Sequence, residues 1–406
     1  MMNLLVAQSG GPTAAINATL VGVLRTASLS DTIDKVYGAQ NGIEGVLKER
    51  LIDLSEFFKN SKSQNALIHT PSSALGTCRY KMKCCNEDEV QYEEIVRIFY
   101  KYNIKYFIYI GGNDSMDTVD KLSKYCKEKN HDFIIVGAPK TIDNDLALTD
   151  HCPGFGSAAK YIATTFGELA CDIGSYNIPA VTIVEVMGRN AGWLTASAAL
   201  AKLNGGAGAD MIYLCEKEFD SQKFIEDLRI QLKEKPGILV AISEGLKNKE
   251  GAYISEDVSS GVVDCFGHKH LAGAARVIEQ LVRKEIGCKV RSIELNLMQR
   301  AAAHIASETD IKESIMLGQK ALMCALEGET GKMSSIKRVS NSPYRVEYIS
   351  VPVSEVANKE KSVPLHWIAP CGYDITEEFI TYLKPLIQGE SATKYKNGIP
   401  VRIKLC

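Results

Sequence analysis

Residues 106–115 read YFIYIGGNDS. Five apolar or aromatic residues run straight into a Gly-Gly pair, and polar residues then open an amphipathic stretch of helical length at 115–128. A second short apolar run follows at 133–136. Strand, glycine turn, helix and strand in that order describe a βαβ unit, which obliges the two strands to lie parallel. The same alternation recurs along the chain. Strand-like runs stand at 4–7, 181–186, 211–214 and 238–242, and helix-like stretches at 14–27, 88–102, 157–170, 219–234 and 272–285. The expected fold class is therefore α/β, with mainly parallel sheets covered by helices on both faces. Too many strands are present for one tidy sheet, so two Rossmann-like lobes are expected, with the active site in the cleft between them.

Bulk composition fits this and narrows the function. The 406 residues are 45% hydrophobic and 24% charged, enough for two or three domains at ~150 residues each. Formal net charge is −2 and the isoelectric point is near 6.4. A nucleic-acid or membrane-surface protein would need a concentrated basic face, so neither partner is expected. Anion binding must then rest on a few local cations. The twelve cysteines are scattered and form no paired CxxC knuckles, which argues for small apolar residues in a reducing compartment rather than a zinc site. The first residues, MMNLLVAQSGG, read as a buried strand entering a glycine turn rather than a signal peptide. No run of about 18 apolar residues suggests a membrane span, and a cytoplasmic protein is expected.

In parallel α/β folds, chemistry gathers where strands end. Four such junctions are unusual here. Ser9-Gly10-Gly11-Pro12-Thr13 could bring backbone N–H groups and a helix N-terminus to a phosphate, although strand-Gly-Gly-helix turns are also common as plain structure. Gly111-Gly112-Asn113-Asp114-Ser115 adds two side-chain oxygens suited to a hard cation such as Mg²⁺, unless Asp114 or Ser115 merely caps the helix. Lys140-Thr141-Ile142-Asp143-Asn144-Asp145 places two carboxylates one residue apart. One could take a proton from a substrate hydroxyl while its neighbour orients metal and phosphate; the bland alternative is an Asx-rich turn. Glu185-Val186-Met187-Gly188-Arg189-Asn190 ends another strand with an arginine. The stretch 246–261 reads as an exposed connection, and 351–361 with 375–386 as a C-terminal addition ending in a packed helix.

Taken together, SGGP, GGNDS, KTIDND, GFGS (154–157), EVMGR, ISE and QR occur in the order found in the phosphofructokinase family, which the chain resembles over roughly residues 4–303. TIDND followed by EVMGR carries most of that specificity. The resemblance implies that Asp143 deprotonates the 1-hydroxyl of fructose 6-phosphate, with Asp145 beside it. Thr141, Ile142, Met187, Gly188, Arg189 and Glu244 would bind that sugar, and Arg291 and Arg300 would grip its 6-phosphate, near Leu297. Gly10, Gly11, Arg79, Gly112 and Ser115 would contact the phosphoryl donor, and Asn113 would hold Mg²⁺.

Two positions speak to the donor. Relatives that use ATP usually have glycine where Asp114 stands, and a carboxylate there repels and displaces an α-phosphate. Relatives that use diphosphate carry lysine at the position of Lys140, where an ammonium offsets charge on the transferring group. The expected reaction is thus reversible phosphoryl transfer from diphosphate to fructose 6-phosphate in glycolysis, with ATP dependence as the alternative. A catalytically silent subunit is a more remote one. The chain departs from the family at Asn113, usually aspartate, at Leu297, where many members have His or Tyr, and at Ala180, where ATP-type enzymes carry an arginine. The expected organisation is a donor lobe at 1–150, completed by about 300–345, a sugar-phosphate lobe at 151–299 and a C-terminal extension at 346–406. A homodimer or homotetramer is expected by the same resemblance.

Overall fold

Alternate residues of β1 (Met2–Gln8) point to opposite faces, and the chain uses both. Leu4 and Val6 enter one hydrophobic core and Leu5 and Ala7 the other, all fully buried. A strand apolar on both faces is stable only inside a sheet sandwiched by helices. In the computed structural model, which describes residues 2–255 and 273–405, it lies inside a seven-stranded sheet. The further strands of the described chain used below are β2 (Ile33–Ala39), β3 (Leu51–Asp53), β4 (Ile104–Gly111), β5 (Ile134–Pro139), β6 (Ala180–Val186), β7 (Met211–Tyr213), β8 (Gly237–Ser243), β9 (Lys289–Glu294), β10 (Lys332–Asn341) and β11 (Tyr344–Pro352).

The first sheet has the order β11-β10-β5-β4-β1-β2-β3, and the second β7-β8-β6-β9. Pairs β1–β2, β1–β4, β4–β5 and β5–β10 are parallel; only β2–β3 and β10–β11 are antiparallel. Every pairing of the second sheet is parallel. The α/β class and the two lobes are thus as the sequence indicates. The chain leaves β1 toward β2 and then returns to β4 on the other side, so the winding reverses at the carboxyl ends of β1 and β4. That reversal opens a crevice, and the first two junctions stand in it.

Strand and helix positions agree with the apolar runs to within a few residues: Ile16–Ala27, Val90–Lys101, Asn113–Glu128, Phe155–Ile173, Ser221–Glu234 and Ala274–Glu285 are helices. Residues 256–261 of the expected connection, and residue 272 of the last expected helix, lie outside the described residues. The stretch 351–361 is not a free-standing addition. Its first two residues finish β11, an edge strand of the first sheet, and the expected cut at 346 falls inside that strand. The packed helix (Glu377–Leu383) exists and buries Phe379, Tyr382 and Leu383 against the second lobe's core. It does not end the chain, since a short hairpin (Tyr395–Lys396 with Ile399–Pro400) follows.

The first lobe is closed by a long helix, Glu308–Leu326, lying on Ile16–Ala27. Glycines set how closely the two approach. A Cβ on Gly22 would stand 2.0 Å from the Ile315 carbonyl oxygen, and one on Gly318 equally close to that of Thr19. Among the described residues, no helix is long and apolar enough to cross a membrane. The ten described cysteines are free.

Candidate active site

Three of the four junctions are built by short-range necessity. At the second, Gly111 is forced by its neighbour: the Ser115 hydroxyl lies 1.9 Å from where a Cβ would be. Gly112, not a side chain, occupies the N-cap of helix Asn113–Glu128, which leaves Asp114 in the first turn rather than in a capping role. At the first, Gly10 adopts φ +76°, a left-handed conformation that favours glycine. A Cβ there would meet the Lys140 ammonium at 3.0 Å. At the third, Asn144 also has positive φ (55°), which asparagine tolerates. Its buried amide donates to the Tyr382 hydroxyl (3.0 Å) and accepts from the Cys152 N–H (3.0 Å). Asn144 is thus the structural Asx residue of the loop, and the carboxylates on either side of it are left to face the cavity.

The loops of both lobes meet at one cavity of about 610 Å³, within the range typical of small-ligand sites. The first lobe supplies Gly10, Gly11, Arg79, Gly112, Asn113, Asp114 and Ser115, the β5 loop Lys140, Thr141, Ile142, Asp143 and Asp145, and the second lobe Met187, Arg189 and Glu244. Arg300 reaches in from a later turn; its guanidinium lies 3.1 Å from where a Cβ on Gly11 would be. Gly188 does not line the cavity itself. Its N–H donates to the Glu244 carboxylate at 3.1 Å and fixes that side chain, while Gln299, almost fully buried, accepts from the Met187 N–H at 3.2 Å. Gly245 is required beside them, since a Cβ would strike the Arg189 carbonyl at 1.8 Å.

Cations and anions both line this space, so local positive charge is present despite an overall net charge of −2. Lys140 is buried and donates to the Gly11 carbonyl at 2.8 Å, which ties the first and third junctions together. Burial depresses its ammonium to about 8, against the opposing pull of Asp143. Burial raises the Asp143 carboxyl, with Lys140 and the Thr141 hydroxyl working the other way. It also raises Asp145, further pushed up by the neighbouring Asp143 and Glu360 charges. Among the described residues the buried Oδ1 of Asp145 has no hydrogen-bond partner. Glu244 is pushed up to about 7, chiefly by burial. Arg300 is lowered by burial and by the nearby Arg79. The Arg79 and Arg300 guanidinium groups repel each other here, and an anionic ligand bound between them would relieve that repulsion.

Three expected positions need correction. Arg291 is exposed on β9, paired in mid-strand with Thr182, and does not line the cavity. From the body of an edge strand it stands away from the carboxyl-end crevice of its own chain. Leu297 is 56% exposed and also lies outside it. Asn113 borders the cavity, but both ends of its amide are committed to main chain: it donates to the Lys359 carbonyl (2.8 Å) and accepts from the Asn358 N–H (2.5 Å). A side chain bonded twice to backbone is poorly placed to ligate Mg²⁺.

The structure also adds residues that were not singled out. Asn358 and Glu360 line the cavity from the C-terminal segment, and Lys81 from the loop after Arg79. Nothing in the local pattern of 358–361 marks it as part of a site. Only Lys81, two residues beyond Arg79, could have been suspected from sequence.

Similarity to known proteins agrees with this geometry. A family model described as phosphofructokinase matches residues 3–325. A protein of Methylococcus capsulatus named pyrophosphate–fructose 6-phosphate 1-phosphotransferase is 41% identical over 407 residues, covering 100% of this chain and 96% of its own. A crystal structure of a pyrophosphate-dependent phosphofructokinase from Nitrosospira multiformis superposes with a TM-score of 0.89 at 37% identity, covering 99% of this chain and 96% of that one. A sulfofructose kinase of Alkalicoccus urumqiensis is 31% identical over 359 residues, covering 88% of this chain and 89% of its own.

Proposed function

The chain belongs to the phosphofructokinase family, and from that premise we propose that it transfers a phosphoryl group from diphosphate to the 1-hydroxyl of fructose 6-phosphate. The products are fructose 1,6-bisphosphate and phosphate, and the step is a reversible one of glycolysis. The observation that carries this is the convergence of Lys140 and Asp143, from the β5 loop, with Arg300, from a distant turn, on one cavity shared by both lobes.

Phosphoryl transfer requires little covalent work from a protein; positioning and charge neutralisation supply most of the rate. Asp143 takes the proton of the sugar 1-hydroxyl. Burial raises its proton affinity and makes it a stronger base than an exposed aspartate, while the Lys140 ammonium and the Thr141 hydroxyl pull the other way. Lys140, held by the Gly11 carbonyl, presents positive charge to the transferring group. Arg189 and Glu244 bind the sugar from the second lobe, with Thr141, Ile142 and Met187 shaping its pocket. Arg300 and Arg79 offer guanidinium groups to phosphate oxygens.

Asp114 supports diphosphate as donor. The N-terminus of helix Asn113–Glu128 is where a phosphate would be favoured, and Asp114 places its own carboxylate in that first turn. A third phosphate of a nucleotide would meet that charge, whereas diphosphate has none to accommodate. Replacing Asp114 by Gly should weaken diphosphate use and admit ATP. An unchanged donor profile, measured by initial rates with each donor, would remove the steric and electrostatic account.

The donor set fits Mg²⁺. This ion commonly binds through one or two carboxylates together with substrate phosphates, not in an all-protein cage. Asp114, together with Asp145 and its unpartnered oxygen, would hold it. Bound there, the ion would neutralise charge developing on the phosphate oxygens. A cytoplasmic homodimer or homotetramer remains the reading carried by family resemblance. Assay of the pure protein with diphosphate and ATP, in both directions and with several sugar phosphates, tests the whole reading; clear preference for ATP overturns it.

A further inference from the structure

A strap runs through the cleft where the sequence suggests no chemistry. After β11 the chain passes residues 358–363 and bonds in turn to the helix after β4, the acceptor loop and the catalytic loop. Asn358 and Lys359 are bonded through their main chain to the Asn113 amide, and the Asn358 side chain donates to Asp117 at 2.9 Å. Glu360 accepts from the Asn190 amide of the acceptor loop at 3.0 Å. The Lys361 N–H donates to the Asp145 carbonyl (2.7 Å), and its buried ammonium donates to the carbonyls of Thr149 (2.9 Å) and Asp150 (2.8 Å). Its own carbonyl accepts from the Trp193 indole at 2.8 Å. Glu216 then accepts from both Val363 and Gly192, which closes the strap on the second lobe.

We propose that Asn113 is a positioning residue whose amide latches this strap, so that the donor, catalytic and acceptor loops are held at one spacing. It deepens the reading above and rests on it. The geometry is specific about the residue type. Asparagine offers one donor and one acceptor, and the strap supplies one carbonyl and one N–H to meet them. Aspartate would keep the acceptor but turn a second oxygen toward the Lys359 carbonyl. If Asn113 were instead a metal ligand, aspartate would be the better residue. The two roles therefore make opposite demands on one substitution.

The test compares wild type, Asn113→Asp and Asn113→Ala by amide hydrogen exchange and by steady-state kinetics. Loss of a latch made of two hydrogen bonds should speed exchange of the Asn358 and Lys361 amides by roughly ten-fold, while β4 amides keep wild-type protection. The KM values for diphosphate and fructose 6-phosphate should both rise several-fold, because the strap spans both binding loops. The Mg²⁺ concentration for half-maximal rate should not fall in Asn113→Asp. Wild-type protection of the strap, or a lower Mg²⁺ requirement in Asn113→Asp, would overturn the proposal. Should Asn113→Ala fail to fold, Asn113→Ser, too short to reach Lys359, is judged by the same outcomes. Exchange needs no turnover, so a wild-type enzyme inactive with diphosphate would sink the functional reading and leave the latch standing or falling by itself.

Discussion

Asp143 and Lys140 hold opposite charges within one short loop, and each is displaced from its ordinary proton affinity by the same burial. Replacement of Asp143 by Ser removes the proton acceptor without filling the cavity. Turnover should fall by roughly 10²-fold or more if proton removal is its role, measured as kcat at saturating substrates; near-normal kcat would reject that role. Lys140 gives a separate signature. It acts as a cation, and burial brings its loss of charge down to about 8. As pH rises through that value the free enzyme loses the charge that faces the donor, so kcat/KM should decline on the alkaline side. Arginine stays protonated there. In Lys140→Arg the alkaline decline should vanish even if the absolute rate is lower, and an identical profile would assign the limb to another group.

Among secondary-structure elements, the site depends on how closely helices Ile16–Ala27 and Glu308–Leu326 approach, because the first of them follows the Gly10–Gly11 turn. Gly22→Ala places a methyl group 2.0 Å from the Ile315 carbonyl oxygen, an overlap no side-chain rotation relieves. The helices must separate, at a cost of about 3 kcal/mol or less by the usual range for overpacking. Denaturant unfolding should show it as a lower midpoint with an unchanged slope, and an unaltered midpoint would mean that the crossing is softer than its geometry. Element positions were the most legible part of the chain. Strands β1, β4, β5, β6 and β8 are apolar on both faces and bounded by glycine or polar turns. Strands β10 and β11 were missed for the opposite reason. As an antiparallel hairpin at the sheet's edge, the second half of β10 and the first half of β11 alternate exposed with half-buried residues, and in sequence such solvated strands merge with charged surface.

For the whole molecule, the tail is joined to the catalytic loop by a buried polar network. His151 bonds Asp150 (2.8 Å) and Glu313 (2.6 Å), Arg338 bonds Asp150, and Tyr344 bonds Glu313. The Tyr382 hydroxyl links Asp150 to Asn144 of the loop. Burial alone would depress His151, but Glu313 and Asp150 outweigh it and raise its imidazole to about 9. A histidine raised above its unfolded value of about 6.5 adds stability that is complete below pH 6.5 and is lost as pH climbs through 9. The thermal midpoint should therefore fall across that window. In His151→Ala, which takes the imidazole partner from the buried Glu313 while Arg338 still holds Asp150, the midpoint should be lower throughout, by the equivalent of about 3–5 kcal/mol, with this component of the slope gone. A wild-type slope in the variant would exclude His151 as its source.

Four loops that carry chemistry were legible because each is continuous in sequence and stands at the end of a strand. Positive φ angles call for Gly10 and Asn144, the Ser115 side chain four residues on calls for Gly111, and parallel winding gathers strand ends on one side. The sequence by itself therefore determined the α/β class, the glycine turns and the Lys140–Asp145 loop. Tertiary structure alone decided which distant residues join them: it brought in Glu360 and the Asn358–Lys361 strap, laid Arg300 against Gly11, left Arg291 out on an edge strand, and turned Asn113 to the main chain of the tail. Contacts between residues two hundred positions apart leave no periodicity in the chain, because they arise from packing between elements and not from the local preferences that shape each one.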